Sequence, residues 1–331
     1  MNSLVARSNL DAVFSLAERC RLCPRQCGAR RLRGETGFCG AGRHARLFME
    51  YVHWAEDAVI APAQTLYLDG CNLSCSFCQT REERQRLPAA RLTPELLRRI
   101  LASGREKGAA SVDILGGEPG VNLFALFELF AESGDFDNLV WNTNLYCTAE
   151  ACELLAGVAD IILGDVKFGS PACAARLAGT ADATEIAWRR AAEIHARTPG
   201  ALILRHLVLP GHFSCCSRPV LENVAEHFAG VPVSLKTVYM PPRDMRPDAP
   251  EKRFLSAGET DAAFALARSL GLRLTDDATL AQSRRSEAGD GTNGADNEFE
   301  IAIAPDGGVY LRHAHREAVD MLLAATKRER T

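Results

Sequence analysis

TLYLDGCNLSCSFCQT, residues 65–80, decides how this chain is read: a short apolar run ends in Asp-Gly and is followed at once by Cys71, Cys75 and Cys78, spaced by four and then three. The apolar run has the composition of a strand. The thiols therefore belong to the loop at its C-terminal end. A closed tetrahedral metal site takes four protein ligands, and a 4Fe-4S cluster takes one cysteine per iron. Three cysteines leave one metal position open, so the absent fourth ligand marks the reactive position.

Downstream of this loop, apolar runs alternate with amphipathic stretches, the pattern of repeated βα units and a parallel sheet. TPELLRRILASGREKG carries Thr93 as N-cap, Pro94 at the first helical position, and Leu96, Leu97, Ile100 and Leu101 at helical spacing. SVDILGG (111–117), NLVWNTN, ADIILGDVKF, ALILRHLVLPG and VPVSLKTVYMPP supply further strands. Helices are expected at 149–156, 183–197, 218–229 and 258–270. The fold class is α/β. Six βα units predict an open, partial (β/α)6 barrel rather than a closed eight-stranded one, with ligands at the C-terminal ends of the strands. The polar segment 276–300 reads as a flexible loop, EFEIAIAPDGGVYLRH as a hairpin, and 315–327 as a last helix.

With 331 residues, 47% apolar and 24% charged, the chain has ordinary globular composition. A net charge of −4 without a basic block argues against nucleic acid as a partner. The absence of a long uncharged apolar run argues against a membrane partner and for a cytoplasmic protein.

Twelve cysteines are unusual for such a chain, and their clustering points to metal rather than disulfides. Cys20, Cys23, Cys27 and Cys39 form a group in a glycine-rich, basic N-terminal arm that needs a staple to fold. Tetrahedral zinc and a second iron-sulfur cluster both accept four sulfurs, and the spacing does not choose between them. Cys147, Cys152 and Cys173 read as small packing residues. Cys215 and Cys216 lie just after the fifth βα strand and are the candidates for a catalytic role: such a pair can ligate a metal, form a disulfide, or donate hydrogen or sulfur.

CNLSCSFC, with Phe77 before its last cysteine, resembles the cluster motif of the radical S-adenosylmethionine superfamily. That resemblance implies a radical SAM barrel in which S-adenosylmethionine chelates the open iron of a 4Fe-4S cluster. An electron from the cluster then cleaves the sulfonium bond to a 5′-deoxyadenosyl radical, which abstracts hydrogen from substrate. It further implies that Gly116, Gly117, Glu118 and Pro119 approach the amino group of the cofactor. In the pyruvate formate-lyase activating enzyme branch, strand-end motifs similar to Asn142, Thr143, Asn144 and to Asp165 and Lys167 contact its methionine end. Arg205 in RHLVLPG stands where that branch has an arginine near the cofactor. Asn142 replaces an aspartate, which puts a monovalent cation in doubt. His206 reads as a bonded core histidine. CRLCPRQCGARRLRGETGFCGAG resembles the homologues of that activating enzyme that carry an extra cysteine-rich N-terminus, over roughly residues 18–242.

The layout expected is a cysteine-rich metal-binding extension over 1–60, the barrel over 61–272, and the loop, hairpin and helix over 273–331. The function expected is a radical SAM enzyme acting on a small molecule or peptide. An activating enzyme acting on a protein glycine, an iron-sulfur electron carrier and a zinc-stapled adaptor are the alternatives. An external one-electron reductant of flavodoxin or ferredoxin type is the implied partner.

Overall fold

The computed structural model describes residues 2–54, 57, 59–134, 136–275, 301–303 and 309–311. Two helices open it, α1 (Asn2–Ser8) and α2 (Leu10–Glu18), and a 3-10 turn covers Arg31–Arg33. There follow β1 (Arg46–His53), β2 (Ala63–Leu68), α3 (Arg81–Arg86), β3 (Ala90–Arg91), α4 (Pro94–Glu106) and β4 (Ser111–Gly116). Next come α5 (Leu123–Ser133), β5 (Leu139–Thr143), α6 (Ala149–Leu155), β6 (Ile161–Asp165), α7 (Pro171–Ala178) and α8 (Ala183–Arg197). The run ends with β7 (Leu202–Leu207), α9 (Arg218–His227), β8 (Val233–Lys236), α10 (Ala257–Ser269), β9 (Ile301–Ile303) and β10 (Val309–Leu311).

Strands β2, β4, β5, β6, β7 and β8 are successive parallel neighbours, with Leu66 opposite Ile114, Ile114 opposite Trp141 and Trp141 opposite Ile162. These residues, with Leu204 and Val233, turn to one face of the sheet and are buried against Phe124 and Phe127 of α5, Ala191 and Ile194 of α8, and Val220, Leu221 and Val224 of α9. Each such side chain stabilises the fold by about 1.5–3 kcal/mol relative to exposure. The other face gathers Ile60, Val140, Leu163 and Ile203 inside the curve of the sheet. Among the described residues no pairing joins β8 back to the far edge, so the barrel is partial, as its repeat count predicts.

Local signals were obeyed where they were strong. Thr93 Oγ1 accepts from Leu96 N at 3.2 Å, Pro94 opens α4, and Leu97, Ile100 and Leu101 are buried. Two features were not singled out in the sequence. The N-terminal helices pack Ala6, Val13, Leu16 and Ala17 into the main core, and β1 pairs antiparallel with β2. Neither helix is long enough for its periodicity to stand out. The hairpin read in EFEIAIAPDGGVYLRH is present as β9 and β10, antiparallel to one another. It extends the sheet beyond β1, at the edge away from β8. The expected loop over 276–300 and helix over 315–327 lie outside the described residues. No described helix is long and apolar enough to cross a membrane.

Candidate active site

Parallel strands put all their C-terminal ends on one rim. The Cys71, Cys75 and Cys78 loop leaves β2 on that rim and is held by its neighbours rather than by itself. Ser74 N and Ser76 N donate to Ala178 O and Leu177 O at the end of α7, at 3.2 and 2.8 Å. Leu73 and Phe77 are buried in an apolar cluster with Phe168, whose ring meets Phe77 edge-on at 6.1 Å. Cys71 N donates to Cys39 O at 3.1 Å, so the N-terminal arm lies directly on the loop.

The GGEP turn runs alongside. Gly117 N donates to Leu68 O and Glu118 N to Gly70 O, at 2.8 and 2.9 Å. A Cβ on Gly117 would fall 2.0 Å from Gly70 O, so only glycine allows this approach. Glu118 is buried and its carboxylate accepts from Thr143 Oγ1 (2.8 Å), Asn144 N (2.7 Å) and Gly120 N (2.8 Å). Burial outweighs these donors and raises its pKa to about 7. Glu118 is therefore a strut that fixes the end of β5. Asn144 Nδ2 in turn donates to Asn72 Oδ1 at 2.9 Å, and Asn72 Nδ2 to Tyr146 O at 2.7 Å.

Asp165 and Lys167 pair at the end of β6. Burial pushes the Lys167 ammonium down, but the carboxylate of Asp165 and the sulfurs of Cys75 and Cys71 hold its pKa above the ordinary value. Burial pushes the Cys75 thiol up to about 12, against the pull of Lys167, and pushes Cys71 up as well. Partly buried thiols whose thiolate is disfavoured in this way gain from a metal that stabilises it. Cys71, Cys75, Cys78, Gly116 to Pro119, Asn144, Asp165 and Lys167 thus come together on one rim. Asn142 is buried on β5, in register with Leu163.

Arg205 lies opposite Asp165 on the neighbouring strand. Its Nη2 lies 2.9 Å from a carboxylate oxygen of Asp57, a fully buried residue that also takes Lys236 (3.1 Å), Ser234 Oγ (2.8 Å) and Thr275 Oγ1 (2.8 Å). Asp57 was missed in the sequence, where an acidic residue in a loop carries no distinguishing signal. His206 is buried and bonded as expected, with Nδ1 2.8 Å from Val166 O and Nε2 3.0 Å from Ser217 Oγ.

In the N-terminal arm, Cys20, Cys23, Cys27 and Cys39 line a shallow crevice with Arg31 and Asn72. Arg31 is fully buried. Its Nη1 lies 3.8 Å from Cys20 Sγ and 3.7 Å from Cys39 Sγ, and its other donors reach Gly42 O and Val121 O. A buried guanidinium needs a counter-charge. The adjoining sulfurs supply one when held as thiolates, which is the state metal binding imposes. Cys215 and Cys216 stand apart from both sets, together with Cys173 and His212.

Residues 65–214 match the family described as the radical SAM superfamily. Residues 65–214 thus carry a radical SAM domain. The family implies a 4Fe-4S cluster and S-adenosylmethionine as cofactors and an external source of electrons. An uncharacterized protein of Methanocaldococcus jannaschii is 28% identical over 272 residues, 80% of this chain and 79% of its own. Among solved structures, SuiB of Streptococcus suis is 18% identical with a TM-score of 0.42, covering 63% of this chain and 47% of that one. A radical SAM methyltransferase from Sphaerobacter thermophilus is 16% identical with a TM-score of 0.46, covering 65% and 66%. This chain thus spans about half the length of SuiB.

Proposed function

We propose that Cys71, Cys75 and Cys78 hold the 4Fe-4S cluster, that the rim residues beside them bind S-adenosylmethionine, and that the substrate is a small molecule or short peptide enclosed in the mouth. The donor set fits the cluster: three soft sulfurs on one loop, in an apolar pocket, leaving one iron for a non-protein ligand. When bound, the cluster and S-adenosylmethionine supply one-electron chemistry and a hydrogen-abstracting radical. The chain's own residues do the positioning. Glu118 locks Thr143 and Asn144, the backbone of Gly116, Gly117 and Pro119 lies against the cysteine loop, and Asn142 and Asn144 offer amides at the end of β5. Lys167 balances negative charge beside Cys75. Because Asp165 is taken by Lys167, no monovalent cation is part of this reading.

One observation carries the substrate class. After β8 the chain crosses the open side of the partial barrel and ties itself to the segment following the cysteine loop: Met240 N donates to Gln79 Oε1 at 2.7 Å, Arg243 N to Glu82, and Arg81 pairs with Asp244 at 2.6 Å. Such a crossing favours an enclosed ligand over a docked protein loop. The N-terminal cysteines hold a second metal centre in this reading. Their contact with Cys71 suits an electron relay from a flavodoxin- or ferredoxin-type donor, and zinc is the alternative occupant.

The test is anaerobic. Wild type and a Cys71→Ala/Cys75→Ala/Cys78→Ala variant are reconstituted with iron and sulfide, then given S-adenosylmethionine and dithionite. Formation of 5′-deoxyadenosine by wild type alone is expected, with iron retained by the variant if the N-terminal set holds a cluster and no iron retained if it holds zinc. A fully loaded wild type that never cleaves S-adenosylmethionine overturns the cluster assignment. Cleavage stimulated by a glycine-bearing protein rather than by small metabolites or peptides overturns the substrate class.

A further inference from the structure

We propose that Cys173, His212, Cys215 and Cys216 form a tetrahedral zinc site that pins together the segments crossing the barrel mouth. The ligand atoms of these residues all lie within 4.8 Å of one another, and this is the group found to converge so among the described residues. His212 Nδ1 is 3.3 Å from Cys215 Sγ and 3.8 Å from Cys216 Sγ. Zn–S bonds of about 2.3 Å and Zn–N bonds of about 2.0 Å give a tetrahedron with edges of about 3.8 Å between sulfurs and about 3.5 Å from sulfur to nitrogen. The two imidazole–sulfur separations bracket that sulfur–nitrogen edge, and the whole set lies within 4.8 Å.

The histidine is prepared for that role. Its Nε2 lies 2.6 Å from Glu251 Oε1, and both residues are buried. In the zinc-bound state proposed here Nε2 donates to that carboxylate, the shorter of its two contacts, and the Nδ1 lone pair faces the sulfurs. Arg176, 2.8 Å from the same Nε2, is neutralised by the same carboxylate at 2.9 Å. A carboxylate behind a histidine is the usual support of a zinc ligand.

The backbone converges on the same point. Residues Phe213–Ser217 form a single π-helical turn, in which Cys216 N and Ser217 N both donate to His212 O, at 2.8 and 3.2 Å. That turn sets both sulfurs on the side of the imidazole, and π turns of this kind cluster at functional sites. Cys173 arrives from α7. The approach is possible because residue 169 is glycine: a Cβ there would fall 2.3 Å from Pro219 Cγ, 2.4 Å from Cys215 O and 2.8 Å from Cys216 Cα. Cys216 and Cys173 are buried, while Cys215 is exposed and gives an ion its entry. Four protein ligands with three sulfurs close the coordination sphere, which is the structural rather than the catalytic form of zinc site. The segments joined are those that follow β6 and β7, together with the crossing after β8 through Glu251 and Tyr239, whose hydroxyl donates to Glu251 O at 3.0 Å.

This inference needs no part of the cluster reading. Full-length protein produced with zinc is compared with a Cys215→Ser/Cys216→Ser variant for zinc per chain. The variant is expected to lose one equivalent while its reconstituted iron is unchanged. Zinc-edge X-ray absorption of wild type is expected to show a sulfur shell near about 2.3 Å and a nitrogen shell near about 2.0 Å, the latter vanishing in the variant. Glu251→Gln is expected to keep the stoichiometry at saturating zinc but weaken binding by about 10–100-fold in chelator competition. If the double variant does not fold, the wild-type spectrum and Glu251→Gln decide. Equal zinc in wild type and folded variant, or a wild-type edge without nitrogen, overturns the proposal. Failure of S-adenosylmethionine cleavage would not touch it.

Discussion

The cysteines of the N-terminal arm and those of the Cys173, His212, Cys215, Cys216 group make opposite use of the same side chain. The arm gathers its thiols from residues 20 to 39 and sets a buried guanidinium between two of them. The group at the mouth gathers ligands from two separate segments, converges them to single-ion spacing, and braces them with the carboxylate of Glu251. Closeness in sequence is therefore a poor guide to what a set of cysteines holds. The charge placed beside the sulfurs, and how far they converge, is the better one.

The comparison breaks first at Arg31. If its guanidinium is the counter-charge of thiolates, Arg31→Met leaves those charges unpaired in a dry site and is expected to cost about 3–5 kcal/mol, with loss of metal from the arm. Denaturant unfolding with metal analysis measures both. An Arg31→Met protein as stable and as metal-loaded as wild type would mean that the arm holds neutral thiols.

The mouth group is sharpened through His206, whose Nε2 anchors Ser217 in the π turn. Burial lowers its pKa from 6.5 to about 4, with Lys167 adding to the shift and the Val166 carbonyl and Asp165 opposing it. The unfolded chain thus binds a proton between these values that the folded chain does not. The contribution is intact above pH 6.5 and is lost as pH falls through about 4, about 3 kcal/mol in all. Stability measured across that window is expected to slope upward with pH in wild type and to lose this component in His206→Gln.

A smaller effect separates the two regions sterically. Gly169→Ala drives a methyl into the Pro219 ring and the Cys215 carbonyl, and is expected to cost about 1–3 kcal/mol and lower the melting temperature. The same variant should leave the arm's metal content unchanged. An unchanged melting temperature would show that the approach of α7 to the π turn is loose.

Much of the rim was legible because its signals are local. A strand followed by three cysteines, Gly-Gly at the end of β4, and Asp165 and Lys167 at the end of β6 each fall within a few residues, and a parallel sheet brings strand ends together by construction. Cys173 reads as a small packing residue and is buried in an apolar cluster, yet its sulfur also lies within 4.8 Å of ligand atoms 39 to 43 positions away, a nearness that no local pattern marks. Arg205 shows the reverse. Its position in β7 was read correctly, but a buried Asp57 far earlier in the chain takes its side chain.

By itself the sequence determined the βα alternation, the open partial barrel and the cysteine loop on its rim, because hydrophobic period and turn chemistry act over neighbouring residues. Only the tertiary structure decided which sulfurs lie within reach of one ion, which charge sits among the arm's thiols, and which carboxylate holds which base. Those outcomes depend on burial and on distances across the fold, where an unpaired charge costs several kcal/mol and the chain closes only in ways that pair it.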